Sequence, residues 1–392
     1  MRSLAYVRYY LGLFTVNAAL TVISLYYPLR YYSETHSSTG LSMVITYYNV
    51  LNALGAYFWG YLIDRTNVRK PLFIAHPIAQ ILPSVCLFET GNPILYGVMG
   101  FTAALGSPLY SSFVLERFPL EDLPKQNSYL SIASLGGNIL GSLISLTPIN
   151  KELVVVTLLA IAIPMNVSLI PNYRSENGEH SGLSLSDVKE VYKPLIIIFI
   201  FNTAAETFYI LYLPQLEASG APSSLYFMSY MTLYAVQLVL FFKVPSFVKD
   251  LEGFWALLAV TIRSSIISLF VTGIPLHPYA LSALFVAFGS MWSIFSVPFY
   301  SLVLKTVRRN RGQITGLLSA GADFGTSIGS FATYVEEALN PSLAYEISFL
   351  GFAVSGIMWA SYVRDLKRLS FSLLPRRASS QPRPVVQREA YA

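Results

Sequence analysis

Apolar residues run through this chain in long stretches separated by short polar segments. Twelve such stretches lie at 8–30, 40–63, 72–90, 93–115, 127–148, 152–171, 194–214, 222–243, 253–273, 278–304, 313–335 and 341–363. Each holds roughly 20 residues, enough to cross a hydrocarbon core of about 30 Å at 1.5 Å per helical residue. A helix satisfies its backbone polar groups internally, which a bilayer core demands. The pattern therefore predicts an all-α polytopic membrane protein of twelve spans. An even number of spans puts both chain ends on one side.

The distribution of charge sharpens this picture. Of 26 Lys and Arg residues, 23 fall on one side once the twelve spans are threaded alternately. The other side holds only Arg30 and Lys151, and Arg263 lies inside a span. Basic loops mark the cytoplasmic side, so both termini are expected there, in a multi-pass protein of the cell membrane. Only 12% of residues are charged, against about 25% in soluble domains. The isoelectric point near 9 follows from the basic membrane-flanking loops, so nucleic acid is not an expected partner. The first apolar stretch is too long for a cleaved leader and lacks a small-residue cleavage site; it is expected to stay as a helix. The single cysteine, Cys86, excludes an intrachain disulfide. Nothing in the sequence points to a metal or a cofactor.

The longest internal polar stretch divides the chain into two sets of six spans. The organisation expected is a bundle at 1–171, a cytoplasmic loop at 172–193, a second bundle at 194–365 and a disordered tail at 366–392. The halves resemble each other. Pro108, Tyr110 and Ser111 recur as Pro298, Tyr300 and Ser301, at an offset of 190. Gly137 and Gly141 recur as Gly325 and Gly329, at an offset of 188, and Asp64 as Asp250, at 186. Two parallel six-helix repeats predict a transporter with its site between them near the midplane.

Between spans two and three the chain reads Gly60-Tyr-Leu-Ile-Asp64-Arg65-Thr-Asn67-Val-Arg69-Lys70. With twelve spans and a 6+6 repeat, this loop resembles the major facilitator superfamily, over residues 1–365. Asn67 stands where the family usually has Gly, and Val68 replaces a basic residue. Asn tolerates the left-handed turn, but one positive charge is lost. The resemblance implies a cytoplasmic gate that latches the halves together. Gly60 would let span two approach a neighbour. Asp64 would accept from a facing helix N-terminus, and Arg65 and Arg69 would pair with carboxylates such as Glu116.

Ionisable residues at membrane depth are costly and point to function. Glu206 lies in span seven among Asn202, Thr203 and Tyr209, and Asp323 near the middle of span eleven. Burial disfavours the charged form of a carboxylate, so either can bind and release a proton as access alternates. Arg263, in span nine, is expected in a structural buried ion pair with Asp323 or with Glu346. The resemblance implies a cavity lined by spans one, four, seven and ten. Asn17, Thr21, Tyr110, Asn202, Tyr209 and Tyr300 are its candidate wall, and Tyr suits cationic or amphipathic solutes. Those four spans carry no central Arg or Lys, which argues against phosphate and carboxylate cargoes.

The glycines of spans five and eleven are expected to shape the interface between halves. Gly325-Thr-Ser327-Ile-Gly329 matches a hydrolase motif, but Ser327 is mid-helix and no histidine follows it, so an enzyme is not expected. No phosphate loop suggests ATP-driven pumping. The expectation is a secondary transporter, a monomer as the family usually is, moving a small solute by alternating access. Its expected mode is proton-coupled efflux of hydrophobic or cationic compounds. The alternatives are uptake of a neutral solute such as a sugar, and a membrane sensor that binds without flux.

Overall fold

The computed structural model describes residues 2–65, 70–117, 123–167, 185–248, 251–307 and 311–372. They form α1 (Arg2–Thr35), α2 (Ser38–Arg65), α3 (Lys70–Thr90), α4 (Pro93–Ala103), α5 (Gly106–Arg117), α6 (Leu123–Leu146) and α7 (Lys151–Val167) in the first half. The second half holds α8 (Leu185–Ala218), α9 (Ser223–Phe247), α10 (Glu252–Val271), α11 (Pro278–Thr306), α12 (Arg311–Leu339) and α13 (Pro341–Ser372). Two boundaries differ from the sequence reading. Residues 185–193, expected in the central loop, open α8, and 366–372, expected in the tail, close α13.

Twelve spans correspond to thirteen helices because the fourth span breaks between α4 and α5. Pro108 sits in the first turn of α5, where its missing N–H leaves no bond unmade. Its counterpart Pro298 lies inside α11, which stays continuous. By length and apolarity alone, eight of the described helices qualify to cross a membrane, and α2 and α12 are not among them. Their packing explains why. These two helices face each other across the seam between halves, so their Asn, Ser, Thr and Asp residues are not all turned to lipid.

The two bundles are built alike. In the first, α1 packs on α6 and α7, α2 on α4, and α3 on α4 and α7. In the second, α8 packs on α12 and α13, α9 on α11, and α10 on α11 and α13. The halves meet along α2–α12 and α6–α9, which are one seam with the roles of the halves exchanged. This is the pseudo-symmetry that the repeats in sequence predict.

The glycine repeats act elsewhere than expected. A Cβ on Gly137 would lie 2.3 Å from the Phe14 carbonyl, and one on Gly141 2.5 Å from that of Ala18. One on Gly325 would lie 2.4 Å from the Phe199 carbonyl, and one on Gly329 2.4 Å from that of Thr203. These glycines bring α6 onto α1 and α12 onto α8. They close each bundle internally rather than shaping the interface between the two.

The face that carries the chain ends is the terminal face here, and the opposite one the far face. At the far face the halves are closed. Leu25 and Leu41 are buried in the same apolar cluster as Phe208, Tyr212 and Leu225 of the second half. His36, at a positive φ of 48° between α1 and α2, places its ring 3.5 Å from the Glu217 carboxylate of α8. The described polar contacts joining the halves lie there and at the midplane, through Asn49. Towards the terminal face, a Cβ on Gly60 would meet nothing within 4 Å.

Candidate functional site

The middle of α8 presents Asn202, Glu206 and Tyr209 on one stripe, at helical spacings of four and three. The alternate positions, Phe201, Ala204 and Phe208, are buried in the core of the second bundle. The polar stripe is thereby turned towards the seam. Glu206 Oε1 accepts from Asn49 Nδ2 of α2 at 2.8 Å and from Ser330 Oγ of α12 at 3.3 Å. Asn49 Nδ2 also donates to Ser330 Oγ at 2.6 Å. One carboxylate oxygen therefore ties both halves together at mid-depth, close to where Gly329 lets α12 approach α8.

Beside this carboxylate lies a pocket of about 210 Å³. Its wall comprises Asn202, Ala205, Glu206 and Tyr209 of α8, Gln237 of α9, Arg263 of α10, Trp292 of α11 and Thr326 of α12. Of the expected cavity residues, Asn202 and Tyr209 are here. Gln237, Trp292 and Thr326 were not singled out from the sequence. An isolated Gln, Trp or Thr in an apolar span carries no signal that separates a pocket wall from a packing position.

Arg263 is the main revision. Its side chain is 1% exposed, yet among the described residues it pairs with neither Asp323 nor Glu346. Nε donates to the Phe288 carbonyl at 2.9 Å and Nη2 to the Tyr209 hydroxyl at 3.2 Å. The guanidinium stacks over Phe201 and Phe288, 4.8 and 4.4 Å from the ring centroids. Helix α10 packs on α11 and α13, and the long side chain crosses that layer to reach the pocket. Asp323 sits elsewhere on α12, beside Tyr48 of α2 and Tyr300 of α11.

The other expected wall residues are placed away from the pocket. Asn17 accepts from Ser134 Oγ at 3.2 Å, and Thr21 donates to Asn138 Oδ1 at 2.9 Å. Both fasten α1 to α6 where Gly137 and Gly141 bring these helices together. Tyr110 is buried inside the first bundle, edge-on to Phe73 at 5.3 Å, and its carbonyl accepts from Tyr9. Tyr300 packs edge-on to Phe299 at 5.5 Å. Ser327 donates to the carbonyls of Asn49 and Asp323, at 2.8 and 2.9 Å, so its hydroxyl serves the seam. Of the expected gate, Gly60 stands open, and Arg69 and the side chains of Asp64, Arg65 and Glu116 lie outside the described residues.

A larger cleft, about 610 Å³, opens near the far face and holds Arg30 and Lys151. Both cations are already engaged. Arg30 bonds Glu34 at 2.8 Å and the Phe88 carbonyl at 3.2 Å. Lys151 donates to the Ile144 and Thr147 carbonyls and closes the end of α6. The midplane pocket is therefore the stronger candidate, although it is the smaller space.

Comparison with known proteins agrees with this architecture. A sequence profile of the Major Facilitator Superfamily matches residues 9–330. No curated protein sequence gives a significant match. A solved D-xylose–proton symporter is similar over 92% of this chain and 97% of its own, with a TM-score of 0.66 and 13% identity. A bacterial homologue of the iron transporter ferroportin, in an inward-facing state, is similar over 92% and 99%, with a TM-score of 0.70 and 12% identity. The human organic anion transporter MFSD10 (TETRAN) is similar over 90% and 98%, with a TM-score of 0.67 and 12% identity. At such identities the likeness is one of fold.

Proposed function

The chain belongs to the Major Facilitator Superfamily, and on that premise we propose that it is a proton-coupled secondary transporter of a small, polar organic solute. The observation that carries this reading is the position of Glu206. It is a membrane-depth carboxylate on the wall of the midplane pocket, hydrogen-bonded to both halves through a single oxygen. Loading a proton there removes the charge that strengthens the bonds from Ser330 and, across the seam, from Asn49. The state of the pocket is thus linked to the contact between halves, as alternating access requires. The excess of basic residues supports a cytoplasmic terminal face in this reading. Closure at the far face then corresponds to a conformation shut to the outside.

The pocket favours a different cargo from the hydrophobic or cationic compounds expected from the sequence. Its volume of about 210 Å³ falls below the ~300–1,000 Å³ of pockets that bury drug-sized ligands. Its wall combines a carboxylate, a guanidinium, two amides, a phenol and an indole. That lining suits a small hydrogen-bonding solute better than the hydrophobic or cationic compounds anticipated from the tyrosines. The test is a pH dye sealed inside proteoliposomes that hold the purified protein. Small sugars, sugar acids and lipophilic cations are added outside in turn. The reading expects a polar solute to move protons and the lipophilic cations to be silent. Proton movement driven by lipophilic cations alone would restore the efflux reading.

A further inference from the structure

A guanidinium taken out of water costs several kcal/mol unless an anion compensates it. Arg263 is buried, and its described partners are a carbonyl, a hydroxyl and two aromatic faces, all of them neutral. It nevertheless forms part of the pocket wall. The carboxylate on that wall, Glu206, has its hydrogen bonds with Asn49 and Ser330.

We propose that the cargo supplies the direct anionic contact that Arg263 lacks among the described residues, and that the pocket takes a small polyhydroxy monocarboxylate. This rests on the transport reading and gives it a substrate class. The carboxylate would sit on Arg263. Asn202 and Gln237 each donate an amide N–H to a backbone carbonyl, of Ile198 and Gly289 respectively. Their amide oxygens are left as acceptors, which call for hydroxyl groups on the rest of the solute. Trp292 supplies a flat face for its C–H surface. The absence of a basic residue from spans one, four, seven and ten, which argued against anions, is answered by span nine.

The same geometry sets the coupling. With the pocket empty, ionised Glu206 and Arg263 line one pocket without a described bond between them, so the guanidinium keeps no direct anionic partner while the net pocket charge is zero. With a carboxylate bound, two negative charges share one small pocket of low dielectric, and protonating Glu206 restores neutrality. Only the empty form and the form loaded with both proton and anion carry no net pocket charge. Among the described residues, the other titratable groups recorded beside Glu206 are Tyr209 on its own helix and Tyr96 of α4, both neutral at physiological pH. Proton and anion therefore bind cooperatively, and the linkage is reciprocal. The cycle is electroneutral, one proton with each carboxylate.

Three probes of similar size separate the charge classes: D-gluconate, D-glucose and D-glucosamine. Each is given to proteoliposomes, with radiolabel and the internal pH dye read together. The expected result is gluconate entry with one proton, driven by a pH gradient and indifferent to an imposed membrane potential. Gluconate should also quench the protein's tryptophan fluorescence at lower concentration at pH 6 than at pH 8, which needs no variant. Arg263→Lys keeps the charge but loses the planar fork, and half-saturation should rise roughly 10- to 100-fold. If glucose moves protons through Glu206 and gluconate does not, this inference fails and the transport reading stands. If gluconate moves charge without protons, the coupling proposed here is wrong. If no solute moves protons, both fall.

Discussion

Replacing Glu206 with Gln is expected to abolish gradient-driven solute accumulation while leaving the protein folded and able to exchange solute. The amide oxygen of Gln can accept the same two hydrogen bonds, from Asn49 and Ser330, so the seam persists. Gln cannot release a proton at any physiological pH, so a proton gradient has nothing to act on. Uptake under an inward proton gradient should fall to simple equilibration, with no accumulation above the outside concentration. Counterflow, which needs no gradient, should continue. Asp323→Asn makes the contrast. Asp323 is the second candidate from its depth in span eleven, but it stands outside the pocket beside Tyr48 and Tyr300. Its substitution should leave accumulation in place. If Glu206→Gln accumulates solute as the parent does, the carboxylate is a structural tie and the coupling reading is lost.

The largest structural effect is expected from Gly325→Val. A Cβ there would lie 2.4 Å from the Phe199 carbonyl and 3.1 Å from its Cα. Backbone cannot swing aside as a flexible side chain can, so α12 must leave α8. Overpacking of this kind costs about 1–3 kcal/mol. Gly141→Val should do the same in the first bundle, where the added Cβ would lie 2.5 Å from the Ala18 carbonyl. Gly60→Val is the control, since a side chain there meets open space in this conformation. Thermal unfolding in detergent should show two deeply destabilised proteins and one close to the parent. A Gly325→Val protein as stable as Gly60→Val would mean that the α8–α12 contact is not what closes the bundle.

Much of the fold was legible because membranes impose a coarse code. A span needs length and apolarity, and its orientation is written in Lys and Arg. Twelve spans and two equivalent halves followed from that code, and the packing repeats them pair by pair. The site was legible only in part. Glu206 stood out because a carboxylate at that depth is expensive, and Asn202 and Tyr209 followed from it at helical spacing. Arg263 was noticed for the same reason, but its partner was assigned by sign. Sequence shows that a buried cation needs an anion, and it does not show that Tyr209 and a carbonyl occupy the near side. Asn17 and Thr21 misled because a polar residue in a span fits a helix–helix contact as well as a cavity. The glycines misled in the same way: small-residue spacing predicts close packing and leaves the partner helix open.

The most direct test of the account is whether the Glu206 pocket opens to each face in turn. Thr326 lines the pocket and, among the described residues, donates to the carbonyl of its own helix, at Ala322, so a cysteine should be tolerated there. In a Cys86→Ala background, Thr326→Cys is treated with a membrane-impermeant maleimide from one face at a time. The account predicts modification from either face, faster from the terminal face, in vesicles that stay tight to protons when no solute is present. Modification from one face only, whatever solute is added, would contradict it.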